Sequence, residues 1–376
     1  MTEIYLIRHA QAEGNVFRMM QGQWDGDVTR LGLKQIDALA ERFRDVHIDA
    51  VYSSDLYRTR ITASAITRFH DVPFYTTKAL REISMGPWET RYFGDVIYES
   101  PEMARNFMTN PAGWKVEGAE TCEQVADRVC PELQKIAESH PGQAVAAVSH
   151  GMAIRCALAR ISGMGVAGMD QLPICGNTSV TKLIWENGSF RIDYFNDCSH
   201  TEKLGMPVWA KNSNLRGVTY DPSHDREWYL RCYEDAWINA HGSSRGFSPM
   251  IYAESAAEHL REEPDAVQCI YDGDEPVGVV DMDTRRGASA GYGWLSFLYL
   301  KPEYRNKGYG VQLLARPIFK YRDLGRRSLR LHVAEDNKAA LKFYRKYGFE
   351  VLSWENTPTG KLLLMEKKLG GSRDER

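Results

Sequence analysis

Residues 5–15 read YLIRHAQAEGN. The stretch opens as a short buried strand, Ile4–Ile7, and closes in a polar loop. Arg8 and His9, a permanent cation beside an imidazole, stand where the strand runs out. A second stretch has the same form: the apolar run Ala144–Val148 leads straight into Ser149-His150-Gly151 and a helix to about Ile161. A third strand, Asp49–Ser53, is followed by a helix that carries Arg58 in its first turn. In a parallel sheet, ligands bind at the carboxyl ends of the strands. Two histidines and two arginines then converge on one rim, which builds a poor core and a good anion site.

Working outward, Thr29 caps a predicted helix to Phe43 with the apolar stripe Leu31, Ile36, Leu39, Ala40 and Phe43. Asp55 is expected to cap the helix running from Arg58 to Phe69. Glu120–Ser139 reads as a long amphipathic helix stopped by His140-Pro141-Gly142. Strands at 179–185 and 190–194 form a hairpin around Asn187-Gly188. Strands alternating with helices argue for a largely parallel sheet covered on both faces. Periodicity fades from about Asn196 to Asp225, a polar stretch with Gly and Pro. The reading is therefore a first domain at 1–200, a linker at 201–220 and a second domain at 221–370. In the second half, helices are predicted at 226–240, 249–261, 308–321 and 338–347. Strands are predicted at 266–271, 277–283, 294–300, 328–333, 349–354 and 361–367.

The chain has 376 residues, too many for one ordinary core. Its net charge of −3 argues against a general nucleic-acid or membrane surface. MTEIYLIRHA does not read as a secretory leader, and no segment is long and apolar enough to span a bilayer. The seven cysteines are scattered and form no C-x-x-C, which suits a reducing compartment and gives no metal knuckle. The expectation is a cytoplasmic protein whose thiols are structural, Cys156 among them. Trp24 and Trp88 read as pocket walls or packing, and His47, His70 and His140 as exposed. Nothing in the sequence speaks to oligomeric state.

Transferring a phosphoryl group needs neutralised oxygens and an in-line nucleophile. A neutral imidazole nitrogen serves if the other ring nitrogen holds the proton. A carboxyl group must protonate the leaving oxygen and later take a proton from water. Glu82, in LREISMGPWE, is the candidate, and its pocket must hold it protonated for the first step. LIRHAQAEGN, SSDLYRTRITA, LREISMGPWE and VSHGMAIR, in this order, resemble the histidine phosphatase superfamily, which includes the cofactor-dependent phosphoglycerate mutases. The resemblance covers roughly residues 1–200 and implies a three-layer α/β/α fold that works without metal on a small phosphorylated substrate. It makes His9 the phosphorylated residue, Arg8, Arg58 and His150 its phosphate pocket, and Glu82 the proton donor. Asn15 and Gln21 match positions lining the pocket. Where members often read W-E-G after the acid loop, this chain has Trp88-Glu89-Thr90, a change near the mouth. Hydrolysis is favoured because the insertions associated with mutases look short; a phosphoryl mutase is the alternative.

The second half carries LSFLYLKPEYRNKGYGVQLL, residues 295–314. An apolar strand ends at Leu300, and Arg305, Lys307, Gly308 and Gly310 follow at a loop-to-helix junction. Glycines let backbone N–H groups approach a ligand, and a helix N-terminus attracts anions. With LHVAEDNKAALKFYRKYGFE downstream, this half resembles a GNAT-type N-acetyltransferase over about residues 215–368. The resemblance implies an α+β fold, acetyl-CoA as cofactor and an amine acceptor. It assigns the coenzyme A pyrophosphate loop to Arg305, Asn306, Lys307, Gly308, Tyr309 and Gly310. Leu298 to Leu300 match the strand that pairs with the pantetheine arm. Tyr344 matches the tyrosine that protonates the departing thiolate, and Asn337 a position facing the cofactor. Many members place a glutamate on the strand before the loop, but residues 291–296 here read GYGWLS. The base is then water-mediated or one of Asp281, Asp283 and Glu254. The alternative is a coenzyme A sensor without turnover.

Overall fold

Alternate residues of the first strand serve two different helical layers, and this decides the architecture of the first half. The computed structural model describes residues 1–205, 213–357 and 360–370. The chain divides into two units, Met1–Pro207 and Val208–Arg376.

The first unit runs β1 (Thr2–Arg8), α1 (Glu13–Phe17), α2 (Arg30–Phe43), β2 (Ala50–Ser54), α3 (Tyr57–Thr67) and β3 (Phe74–Thr77). There follow α4 (Phe93–Glu99), α5 (Pro101–Thr109), α6 (Cys122–Ser139), β4 (Ala144–Ser149), α7 (Gly151–Ile161), β5 (Val180–Glu186) and β6 (Ser189–Asp197). The sheet order is β3-β2-β4-β1-β5-β6, with β3, β2, β4 and β1 parallel and β5 and β6 antiparallel. Ile4 and Leu6 of β1, with Val145 and Ala147 of β4, pack against α6 and α7. Ile7, Ala146 and Val148 turn the other way, onto Ile36, Leu39 and Phe43 of α2 and Ala63 and Ile66 of α3. That period of two under two helical layers makes the three-layer α/β/α sandwich. Thr29 caps α2 by accepting the Gly32 N–H, and Thr121 and Gln124 form a capping box that starts α6. Asn187 and Gly188 both have positive φ, the turn a tight hairpin needs.

Three expectations are corrected. Asp55 does not cap α3; it takes both prongs of the Arg81 guanidinium at 2.6 Å, and a bidentate charged pair outbids a single N–H. Asp25 receives the Tyr57 N–H in its place. His70 and His140 are half-buried: His70 Nε2 donates to the Phe43 carbonyl, and His140 sits between the Tyr52 hydroxyl and the Gln143 amide. Cys156 is packed in the core, as expected.

The second unit runs β7 (Arg216–Thr219), α8 (Arg226–His241), α9 (Pro249–Glu262), β8 (Val267–Asp272), β9 (Glu275–Asp283) and β10 (Tyr292–Leu300). Then come α10 (Gly310–Asp323), β11 (Ser328–Ala334), α11 (Lys338–Lys346), β12 (Glu350–Thr357) and β13 (Gly360–Lys368). Residues 216–219, read as linker, are the edge strand of this sheet, ordered β12-β13-β11-β10-β9-β8-β7. Of the stretch 206–212, nothing lies within the described residues. All neighbours are antiparallel except β10 and β11, whose parallel pairing spans only Tyr292–Trp294 against Ser328–Arg330. Beyond Trp294 the two strands part. On one face, Tyr229 and Cys232 of α8 and Ala256 of α9 pack on Val267, Cys269 and Val279. On the other, α10 presses close: a Cβ on Gly293 would come within 2.2 Å of the Tyr321 ring.

Leu6 is fully buried at the centre of the first sheet. Leu6→Ala is expected to cost about 3 kcal/mol, read as a lowered urea midpoint for the first unit. A loss below about 1 kcal/mol would mean the two layers collapse into the space instead.

Candidate active site

The β1–β4 register pairs Arg8 with Ser149, so the next residue of each strand emerges at the same height. The His9 N–H donates to the Ser149 carbonyl at 2.9 Å, and the His9 and His150 ring centroids lie 5.1 Å apart. His9 Nδ1 donates to the Ala10 carbonyl at 2.7 Å. A carbonyl only accepts, so in the neutral ring the proton stays on Nδ1 and Nε2 keeps its lone pair. Burial, then Arg58 and Arg8, push the His9 pKa well below its usual value. His150 is pushed down in the same way, by burial first and then by Arg58 and His9.

Arg58 is completely buried and donates to the carbonyls of Trp24 at 2.7 Å and Gly22 at 2.8 Å. Burial lowers its pKa to about 10 against the pull of Glu82 and Asp25, so it remains a cation at neutral pH. Arg8 donates to the Cys175 carbonyl, and a Cβ on Gly151 would come within 3.2 Å of its Nε. Arg8 Nε, Arg58 Nε and both ring nitrogens of His150 are buried with no hydrogen-bond partner within the protein. A set of such donors around one imidazole suits a tetrahedral oxyanion.

Glu82 sits at the N-terminus of α7. Its carboxylate accepts the N–H groups of Ala153 at 2.9 Å, Met152 at 3.2 Å and Ile83 at 3.0 Å. Asn15 turns its Oδ1 to the Ala12 N–H, and Gln21 folds over Gly14, where a Cβ would meet its Cγ at 2.0 Å. Trp88 packs against Trp114, and the Trp24 carbonyl accepts from Arg58.

The residues holding Glu82 in place escaped the sequence reading. Arg128 donates to the carbonyls of Ala79, Arg81 and Glu82 and forms a forked pair with Glu120. Glu120 in turn accepts the Ser84 N–H, and Ser149 Oγ donates to Leu80 O. Asn177, also missed, donates to the His9 carbonyl at 3.1 Å.

In the second unit, the parting of β10 from β11 leaves Ser296 exposed in mid-strand, with Leu298 and Leu300 beyond it. Asn306 and Gly308 have φ of 61° and 88°, and the loop they shape feeds the first turn of α10, whose N–H groups have no helical acceptor. A Cβ on Gly310 would crowd Phe343 at 3.1 Å. Tyr309 is the N-cap and Lys307 lies in the same loop. These features fit a pyrophosphate with a strand-like arm. Arg305 is turned elsewhere: Nε donates to the Leu300 carbonyl at 2.8 Å and Nη2 faces Asp235 at 3.5 Å. Asn337 caps α11 by accepting the Ala340 N–H. Tyr344 is buried, which raises its pKa. Glu254 is exposed on α9, whereas Asp281 is fully buried beneath Tyr229, Tyr233 and His259.

A model of the histidine phosphatase superfamily (branch 1) matches residues 4–198. The chain belongs to that superfamily, and its second half carries a domain of the acetyltransferase (GNAT) family, matched at residues 226–349. A metal-independent phosphoserine phosphatase of Arabidopsis thaliana is 32% identical over 208 residues, covering 54% of this chain and 85% of that protein. A putative phosphoserine phosphatase 2 of Hydrogenobacter thermophilus is 29% identical, covering 54% of this chain and 100% of its own. A probable phosphoglycerate mutase GpmB of Escherichia coli is 28% identical, over 54% and 96%. The solved structure of Bacillus stearothermophilus YhfR superposes with a TM-score of 0.52 at 28% identity, covering 53% of this chain and 99% of that one.

Two outcomes are expected. Because the pKa of His9 lies below its usual value, its ring takes up a proton only at lower pH. Rapid-quench labelling with a phosphomonoester at pH 5.5 should still phosphorylate His9, where a free imidazole would be about 90% protonated. Arg128→Ala should lower kcat about 100-fold through a loosened Glu82 while phosphate binding, measured by competitive inhibition, stays within about threefold. Equal loss of both would place Arg128 in the phosphate pocket.

Proposed function

We propose that the first domain hydrolyses a small phosphate monoester through a phosphohistidine on His9, and that the second acetylates an amine from acetyl-CoA. The observation that carries the first half is the Nδ1–H of His9 on the Ala10 carbonyl, which leaves Nε2 as nucleophile among buried cations. Arg8, Arg58 and His150 hold the equatorial oxygens, with Asn15 and Gln21 at the pocket wall. Glu82 enters the cycle as the acid and gives its proton to the leaving oxygen as the P–O bond breaks. Glu82, now a carboxylate, then takes a proton from the water that attacks the phosphohistidine. The relatives' names divide between phosphatase and mutase, so release of inorganic phosphate separates the two. The metal-independent relative supports a reaction run with chelator present, and phosphoserine is the first substrate to test.

In the second domain, the loop Asn306–Gly310 and the backbone of Leu298–Leu300 hold coenzyme A, with Asn337 nearby. The bound thioester supplies the acetyl group. Tyr344, whose burial keeps its proton in place at neutral pH, gives that proton to the departing sulphur. The absence of any carboxylate at residues 291–296 favours a second reading, a domain that binds coenzyme A without turnover.

The test pairs labelled phosphoserine, quenched during turnover, with an amine screen. Acid-labile label should sit on His9 and vanish in His9→Ala, with phosphate release falling at least 1000-fold. Label on serine, or turnover surviving that substitution, would end the phosphohistidine reading.

A further inference from the structure

The second domain has no strand carboxylate where an acceptor amine would arrive, yet it buries an acid–imidazole pair one strand away. Asp281 of β9 is fully buried and pairs in register with Phe297, the residue after the irregularity at Ser296 in β10. His259 of α9 donates its Nδ1–H to Asp281 Oδ1 at 2.5 Å. Tyr229 and Tyr233 of α8 donate to Oδ2 at 2.6 and 3.0 Å. With Nδ1 committed, the lone pair of the neutral ring is on Nε2. That nitrogen looks toward Ser255 Oγ at 3.5 Å and Asp283 Oδ2 at 3.9 Å, and a tenth of the side chain remains exposed. Asp283 in turn pairs with Trp294, the last residue of β10 joined to β11. The imidazole thus stands level with the point where the sheet opens, since adjacent strands are only about 4.8 Å apart.

We infer that His259, oriented by Asp281, is the general base that takes the acceptor's proton in the second domain. This rests on the acetyltransferase reading of that domain. The step balances: R–NH3+ gives one proton to Nε2, leaving R–NH2 with a free electron pair and an imidazolium facing Asp281. That pair forms the C–N bond as the C–S bond breaks onto sulphur, whose gain of a proton is matched by loss of the second amine proton. The imidazolium then returns its proton to water. Asp283 supplies a further carboxylate that attracts the ammonium toward Nε2.

The groups facing His259 are Asp281 and Asp283 from β9, Ser255 and Glu258 from its own helix, and, through Asp281, the two tyrosines of α8. Burial lowers its pKa, but the Asp281 hydrogen bond and charge, with Asp283 and Glu258, raise it above the usual value overall. The free base therefore grows as pH rises through a midpoint above 6.5. Asp281→Asn removes the main opposing charge and should move that midpoint downward.

The experiment uses the full chain. Proton NMR of the ring of His259 should titrate above 6.5 and shift lower in Asp281→Asn. With acetyl-CoA and a panel of 2-phenylethylamine, spermidine and lysine, kcat/KM should rise with pH through the same midpoint. His259→Gln should lower it about 100-fold and flatten the rise, with the calorimetric Kd for acetyl-CoA within twofold. An unchanged pH profile in His259→Gln, or a rate midpoint that does not follow the ring in Asp281→Asn, would leave His259 a mere anchor for α9 and overturn the inference. Acetyl-CoA binding with no amine consumed by the wild type would overturn it as well. Failure to bind acetyl-CoA would instead refute the acetyltransferase reading beneath it.

Discussion

The parallel pairing of β1 with β4 is the constraint on which the first domain depends. Six residue pairs, Glu3 with Ala144 through Arg8 with Ser149, set the height at which His9 and His150 leave the sheet. A slip of one residue would exchange every inward side chain for its outward neighbour. It would turn Ile4 and Leu6 away from α6 and separate the two imidazoles. Core packing and the meeting of the two imidazoles therefore select the same register. The hydrophobic layers, made for stability, deliver the site without a separate device.

Both domains bury charge, and each answers its desolvation by neighbouring dipoles. Arg58, completely enclosed, rests on the carbonyls of Gly22 and Trp24. Asp281 collects two phenols and an imidazole. A buried ion without such partners is strongly disfavoured. The surrounding structure must therefore be rigid, as the Arg128–Glu120 brace on the 79–84 loop illustrates.

Features written in contiguous sequence were legible. The strand ends at Arg8-His9 and Ser149-His150, the Asn187-Gly188 turn and the glycines of residues 308–310 each carry their meaning within a few residues. What escaped depends on distance along the chain. Arg128 lies 46 residues from the Glu82 carbonyl it holds, and nothing near it marks the role. Strand β7 has four residues, too few for alternation to show. Helices α4 and α5 have seven and nine residues, at the limit of helical periodicity. Asp55 looked like a cap because the local pattern could not show Arg81 arriving from another loop. His259 drew no reading, because its partner is 22 positions away on a strand.

The divergence of β10 from β11 has a thermodynamic corollary. A sheet normally keeps its unsatisfied edge at the rim, but this one opens a second edge near its middle. Any molecule that lays an extended backbone-like arm into that gap becomes an extra strand of the sheet. Occupancy and cohesion of the domain are then linked by mass action, so the melting point of this half would report the local concentration of whatever fills the seam.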